Sequence, residues 1–130
     1  MLFRSTPLLY LAGPYRAETR EGVELHIQQA RAVGLQVARK GWCPVIPHTM
    51  LAHLDAAAPS IADQFWLEAT LELMRRCDAV LLLPGWTGST GTRAELAEAQ
   101  RLGLQVFDAV DFIPAGDRFE RQPGLQEAAP

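Results

Sequence analysis

The sequence predicts an α/β fold, a doubly wound (Rossmann-like or flavodoxin-like) three-layer sandwich around a parallel sheet of four to five strands. Short apolar runs alternate along the chain with longer segments in which apolar residues recur at helical spacing. The resulting order is strand, helix, strand, helix, strand, helix, strand, and right-handed crossovers make such a sheet parallel. Ligands of these sheets bind beyond the carboxyl ends of the strands, so the segments that follow the strands are expected to carry the chemistry.

Four short apolar runs are the predicted strands. Residues 8–12 end at a Gly-Pro pair and residues 43–46 end at a proline, and both signals stop a strand. Residues 79–83 form the most continuously apolar run, which is typical of the centre of a parallel sheet. A last strand is predicted around residues 105–109.

Three helices are predicted between these strands. Residues 18–40 place Val, Ile, Ala and Gly on one helical face and charged side chains elsewhere. Ser60 and Asp63 have the spacing of a capping box, which predicts the start of a second helix that runs to Arg76. The third helix, about 92–102, follows a glycine-rich loop.

The chain of 130 residues has room for one domain. We expect that domain to span residues 1–113, with residues 48–59 as an irregular loop over it. The tail, residues 114–130, lacks periodicity and is predicted to be loose or docked on a partner.

Composition narrows the functional classes. The net charge of -3 gives no polybasic footprint, which argues against duplex nucleic acid or an anionic membrane as the partner. The longest apolar run is far shorter than the ~20 residues of a membrane span, and the first residues lack the apolar core of a signal peptide. Cys43 and Cys77 have no Cys-x-x-Cys partner and are expected to be reduced thiols, and no metal-ligand spacing appears. The sequence therefore predicts a cytoplasmic protein that uses no metal or cofactor.

The glycine-rich loop after the third strand is a candidate phosphate site. Backbone N–H groups of such a turn can approach an anion closely, and the start of the following helix adds partial positive charge. Ser89, Thr90 and Thr92 add hydroxyl groups. The loop is neither Gly-x-Gly-x-x-Gly nor a Walker A motif, so alone it is a weak signal.

Three further side chains fall at the same predicted edge, and each has two interpretations. Glu95 has capping-box spacing from Thr92, but a carboxylate at a helix start could also attack an electrophilic sugar carbon. Tyr10 is either a core residue or a site residue near the end of the first strand. Arg16 is either a solvated loop charge or a bidentate ligand for phosphate.

Five segments in order carry a resemblance to a known family. They are Tyr10-Leu-Ala-Gly-Pro-Tyr-Arg16, Gly41-Trp-Cys-Pro-Val, Arg76-Cys-Asp-Ala-Val-Leu-Leu-Leu-Pro-Gly-Trp86, Ser89-x-Gly-x-x-x-Glu95 and Ala99-x-x-x-Gly103. Together they resemble the nucleoside 2-deoxyribosyltransferase superfamily over roughly residues 8–108. Within it, the chain is most similar to the 2'-deoxynucleoside 5'-phosphate N-hydrolases and their small relatives.

The resemblance implies roles for several residues. Glu95 matches the catalytic glutamate that forms a deoxyribosyl ester, and Tyr10 matches the tyrosine beside that carboxylate. Arg16 matches an arginine near the substrate. Ser89 matches the phosphate-binding serine of the hydrolase branch, where transferases acting on free nucleosides tend to carry an aspartate.

Two glycines and a partner complete the implied site. Gly13 and Gly91 would allow close backbone approach to the substrate. The resemblance assigns no role to Trp86, whose ring has two interpretations, stacking on a base or packing its own loop. The relatives assemble as dimers or larger oligomers in which a neighbour completes the pocket, so a homo-oligomer is expected.

One position departs from the family pattern. Thr70 stands where the family usually has an aspartate that helps to protonate the departing base. His48, at the end of the second strand, is an alternative acid because histidine has an ordinary pKa of about 6.5.

Three functions therefore remain open. The first is an N-glycosidic hydrolase or glycosyltransferase that acts on nucleoside 5'-monophosphates or related nucleotides. The second is a nucleotide-binding module with little or no turnover. The third is a phosphoribohydrolase of the cytokinin-activating type, because Gly91-Thr92-x-x-Glu95 is similar to the Gly-Thr-x-x-Glu of those enzymes.

Overall fold

The sheet has four parallel strands, as predicted. In the computed structural model, which describes residues 6–120, their order across the sheet is β2-β1-β3-β4. Their bounds are β1 Leu8–Ala12, β2 Cys43–Val45, β3 Ala79–Leu82 and β4 Gln105–Phe107. The two central strands are the most apolar, because helices cover both of their faces.

Helices on both faces complete the three layers. The helices are α1 Arg20–Arg39, α2 Pro47–Met50, α3 Leu54–Ala57, α4 Asp63–Arg75 and α5 Thr90–Leu102. One apolar core joins α1 to the face of the sheet that carries Leu9 and Leu11. The second core joins α4 and α5 to the opposite face, which carries Tyr10 and Val80. The doubly wound α/β prediction is confirmed.

Two local predictions between β2 and α4 are wrong. The predicted loop over residues 48–59 contains α3 and all but the first residue of α2, and each of these helices is a single turn. Helix α4 begins at Asp63, and its N-cap residue is Ala62, whose methyl side chain cannot accept a hydrogen bond. Ser60 therefore lies before the helix, and the capping-box spacing did not identify its start.

Residues 114–120 differ from the predicted loose or partner-docked tail. They pack against the start of β2 because Trp42, a buried side chain, needs both a hydrogen-bond acceptor and apolar cover there. The Trp42 Nε1 donates to the Pro114 carbonyl oxygen at 2.8 Å. The centroids of the Phe119 and Trp42 rings are 4.6 Å apart. Residues 121–130 of the predicted tail lie outside the described residues.

A glycine pair fixes this contact. The backbone N–H of Gly116 donates to the carbonyl oxygen of Lys40 at 2.7 Å, and a Cβ on Gly116 would meet the Gly41 carbonyl oxygen at 2.2 Å.

No helix within residues 6–120 combines the length and the apolar character that crossing a membrane requires.

Candidate active site

A cavity of about 970 Å³ opens at the carboxyl ends of the strands, where the fold predicts ligand binding. The segments after β1, β2 and β3 and the first turns of α4 and α5 form its walls. Six of the eight predicted site residues line it, namely Gly13, Arg16, His48, Ser89, Gly91 and Glu95. The edge of the sheet therefore brings together residues that are far apart in sequence.

Glu95 and Tyr10 form a buried pair beside this cavity. Glu95 lies in the second turn of α5 and is 7% exposed, while Tyr10 points from β1 toward the same helix layer and is fully buried. The Tyr10 hydroxyl donates a hydrogen bond to Glu95 Oε2. One carboxyl oxygen is thereby engaged, and Glu95 itself lines the cavity.

Burial controls the protonation of this pair. It raises the pKa of Glu95 to about 7, although the hydrogen bond from Tyr10 lowers that pKa. Burial, followed by the charge of Glu95, raises the pKa of Tyr10 well above its ordinary value. Near neutral pH, Tyr10 is therefore a stable hydrogen-bond donor and Glu95 can exist in either protonation state.

The capping interpretation of Glu95 is wrong. Ser89 is the N-cap residue of α5, and its Oγ accepts a hydrogen bond from the Thr92 backbone N–H at 3.2 Å. The Thr92 hydroxyl also donates to Ser89 Oγ, at 2.9 Å. Because α5 begins at Thr90 and not at the expected position 92, Glu95 falls one turn too late to cap it.

Ser89 combines this structural role with a place in the cavity wall. Its oxygen accepts two hydrogen bonds from Thr92, which leaves its own proton for a further acceptor. Gly91 lies in the first turn of α5, and apart from its chain neighbours and its own helix backbone no atom of residues 6–120 lies within 4 Å of the place a Cβ would take. The helix start therefore presents open backbone and a hydroxyl donor to the cavity.

Arg16 and Asp63 form an ion pair that sequence reasoning did not find. Arg16 Nη2 lies 2.9 Å from Asp63 Oδ1, and both residues line the cavity. Asp63 was expected as a capping residue of its helix, and two helical turns separate it from Thr70, which is far for a substitute acid. Its position at the start of α4, on the same edge of the sheet as Arg16, is the one signal in the sequence that favours a site role.

His48 is buried and mainly neutral. Its Nε2 donates to the Gly13 carbonyl oxygen at 3.0 Å, because a carbonyl oxygen can only accept. Its Nδ1 has no hydrogen-bond partner within residues 6–120. Burial lowers the pKa of His48, more than the carbonyl groups of Gly13 and Pro14 raise it. A neutral imidazole is a poorer acid than the sequence-based hypothesis requires.

Thr70 lies beside the buried pair. It lines the cavity, and its hydroxyl donates to the Leu67 carbonyl oxygen at 3.0 Å. It also lies close enough to Tyr10 to lower the pKa of the tyrosine.

Two residues that were predicted to contact the substrate, Trp86 and Gly13, pack against other side chains in the structure. Trp86 does not line the cavity; its ring packs with the second core beside Leu96, because that side of the loop offers apolar cover. Gly13 lines the cavity, but a Cβ there would come within 2.6 Å of Leu83 Cβ, so packing against Leu83 already requires glycine.

Tyr15 anchors the segment that covers the cavity and was not singled out from the sequence. Its hydroxyl accepts from the His53 backbone N–H at 2.7 Å and donates to Asp55 at 3.2 Å. The backbone carbonyl oxygen of Tyr15 bonds His26 Nδ1 at 3.0 Å. His53 has a φ of 61°, which is uncommon for a residue with a side chain, and these contacts hold it there.

Fold and site together define a parallel α/β protein with a cavity and a buried carboxyl group at the carboxyl edge of its sheet. Within residues 6–120, no group of three or more His, Cys, Asp or Glu side chains is arranged to hold a metal ion. The chain belongs to the family described as Domain of unknown function (DUF7768), whose model matches residues 7–109. No curated protein matches the chain.

Proposed function

We propose that the protein cleaves the N-glycosidic bond of nucleoside 5'-monophosphates or related nucleotides, by hydrolysis or by glycosyl transfer. The observation that carries this proposal is the buried carboxyl group of Glu95, held by Tyr10 at the wall of the cavity. The resemblance to the nucleoside 2-deoxyribosyltransferase superfamily supports it, because Glu95 and Tyr10 match the family's catalytic glutamate and its neighbour.

In the proposed reaction, the ionised Glu95 attacks the sugar carbon that carries the base. A bond forms between a carboxylate oxygen and this carbon while the carbon–nitrogen bond breaks, and its electron pair leaves with the base. Water, or an acceptor nucleoside in transfer, then attacks the same carbon and releases the carboxylate. Tyr10 occupies Oε2 and so leaves Oε1 for the attack.

The phosphate would bind where α5 begins. The Ser89 hydroxyl, the open backbone at Gly91 and the partial positive charge of the helix start all suit an anion. The Arg16 guanidinium lines the same cavity and can bind a phosphate with two N–H groups.

A nucleotide-binding module with little turnover is the second candidate, and Thr70 favours it. A threonine beside Tyr10 cannot protonate a departing base, and burial keeps His48 mainly neutral. Binding of a nucleotide without release of its base would distinguish this candidate from an enzyme.

The test is a screen of nucleosides and their 5'-monophosphates for released base. We expect Glu95→Ala to lower the rate of base release by roughly 10³-fold or more, because the variant lacks the nucleophile. Glu68→Ala, which removes an exposed carboxylate from α4, is the matched control and should retain the rate of the natural protein. A folded Glu95→Ala protein with near-normal turnover would remove the nucleophile assignment.

The proposal includes a homo-oligomer that works in the cytoplasm. Exposed apolar side chains at Leu54, Ile61 and Phe65 adjoin the segments that form the cavity wall, and a second copy would cover them. Light scattering on the purified protein measures its oligomeric state directly.

A further inference from the structure

The ion pair between Arg16 and Asp63 lies at an exposed part of the cavity wall. The two side chains are 58% and 82% exposed, and their charged atoms are 2.9 Å apart. An ion pair that is open to water adds little to stability, because solvent screens it and two side chains must be held in place. The pair can therefore separate at little cost when another anion reaches Arg16.

The charges around the cavity make such an exchange necessary for a phosphate. Arg16 is the only Lys or Arg among the described residues that line it. Three carboxyl groups, those of Asp55, Asp63 and Glu95, line the same cavity. A phosphate dianion that enters would meet one guanidinium group that already has a carboxylate partner.

We propose that Asp63 is a specificity-determining residue that competes with the substrate's phosphate for Arg16. In the unliganded protein Asp63 holds Arg16, and a bound phosphate takes over the guanidinium while the Asp63 carboxylate turns to water. Asp63 thereby sets how strongly a phosphorylated ligand is preferred over the same ligand without phosphate. This inference rests on the proposed function, since it takes Arg16 as a ligand for the phosphate.

The test measures binding of sugars that have no base, so that no glycosidic bond can be cleaved. The probes are 2-deoxyribose 5-phosphate and 2-deoxyribose, titrated calorimetrically into the natural protein and into Asp63→Asn. We expect the variant to bind the phosphorylated sugar ~3- to 10-fold more tightly, because it has lost both a competitor and a nearby like charge. Its affinity for 2-deoxyribose should not change.

Glu68→Gln is the matched control. It removes the same charge from the same helix, but Glu68 does not line the cavity and contacts Gln64 instead. Its affinity for both sugars should match that of the natural protein. An equal gain in Glu68→Gln would overturn the proposal, since net charge alone would then explain the effect.

The Arg16→Ala background separates competition from plain repulsion. If Asp63 acts by holding Arg16, then Asp63→Asn gains clearly less affinity for 2-deoxyribose 5-phosphate when Arg16 is absent. The same gain in both backgrounds would contradict competition. An unchanged affinity in Asp63→Asn, or no binding of the phosphorylated sugar by either protein, would also overturn it.

These outcomes are independent of catalysis. Tighter binding of 2-deoxyribose 5-phosphate by Asp63→Asn, together with no base release from any nucleotide, would retain the role of Asp63 and reject the glycosidase. Base release from a nucleotide, together with an unchanged affinity of Asp63→Asn for 2-deoxyribose 5-phosphate, would retain the glycosidase and reject the role of Asp63. Asn has the shape of Asp, and a thermal melt shows whether each variant is folded.

Discussion

Thr70 lies beside the Tyr10–Glu95 pair, where a departing base would take up a proton in the proposed reaction. A leaving base carries developing negative charge, and a positioned acid typically accelerates such a step by ~10²–10⁴-fold. The threonine hydroxyl can donate a hydrogen bond but cannot release a proton near neutral pH. Proton delivery is therefore the weakest step of the proposed reaction.

We predict that Thr70→Asp raises the single-turnover rate of base release by about 10²-fold. The new carboxyl group would stand close to Glu95, and like charges at that distance raise a pKa, so one of the two would hold a proton. Thr70→Asn is the control, because it has the shape of aspartate but no acidic proton. An equal gain in Thr70→Asn would mean that shape, and not acidity, was limiting.

His48 provides the contrasting outcome of the same assay. If His48 delivers the proton, Thr70→Asp gives no gain and His48→Ala is slow. Because burial lowers the pKa of His48, we expect His48→Ala to change the rate of base release less than Thr70→Asp does. Unchanged rates in both variants would leave water or a neighbouring subunit as the source of the proton.

Residue types at the site were predictable to different degrees. The contact of Tyr10 with Glu95 was expected only from the family resemblance, because the pattern of the strand fits Tyr10 equally well as a core residue. The pairing of Arg16 with Asp63 was not predictable, since it depends on where α4 begins. Trp86 has an aromatic ring that suits a base or a core equally well, and only the packing decides between them.

The strands and helices with strong apolar periodicity were predicted correctly, but the residues at which the helices begin were not. The four strands and three long helices follow from apolar spacing alone. The start of α5 was placed two residues late because both Ser89 and Thr92 are good N-cap residues, and Thr92 instead donates its hydroxyl to Ser89. The turns α2 and α3 are too short to produce a recognisable period.

The segment 114–120 was expected to be loose or docked on a partner because it has no period, yet the buried Trp42 and a backbone hydrogen bond from Gly116 to Lys40 hold it against the domain. We predict that Phe119→Ala lowers the free energy of unfolding by about 1–3 kcal/mol, since its half-buried ring packs on Trp42. Urea denaturation measures this. Nucleotide binding should not change, because Trp42 precedes β2 and so lies at the opposite edge of the sheet from the cavity.

Phe112→Ala is the control for this element. It removes the same side chain from the same part of the chain, but Phe112 is 69% exposed. We expect it to change the free energy of unfolding by less than about 0.5 kcal/mol. Equal effects of the two substitutions would contradict docking of residues 114–120 through Trp42.

At the scale of the whole molecule, the fold keeps a carboxyl group that opposes its stability. Glu95 is enclosed between the sheet and α5, and burial raises its pKa to about 7. In the unfolded chain the same group titrates near its ordinary value of 4.5. Between these two values the unfolded chain loses its proton while the folded protein retains it, so folding stability decreases as pH rises.

We therefore predict that Glu95→Gln stabilises the protein in a pH-dependent way. Below about pH 4.5 both states of the natural protein are protonated, and the two proteins should be similarly stable. Above about pH 7 the natural protein must hold a buried charge, and the variant should be more stable by roughly 3 kcal/mol. Glutamine can still accept the Tyr10 hydrogen bond, so the comparison isolates the charge.

Urea unfolding of both proteins from pH 4.5 to 8.5 measures this difference directly, because every other ionisable group is common to them. Glu68→Gln, which removes an exposed carboxylate, should show no comparable rise in stability across that range. A difference between Glu95→Gln and the natural protein that stays constant with pH would mean that Glu95 does not titrate there. If the fold retains Glu95 for its chemistry, the Glu95→Gln protein should be more stable than the natural protein and inactive. A carboxylate with a structural role would stabilise the fold, and its replacement would then lower the stability.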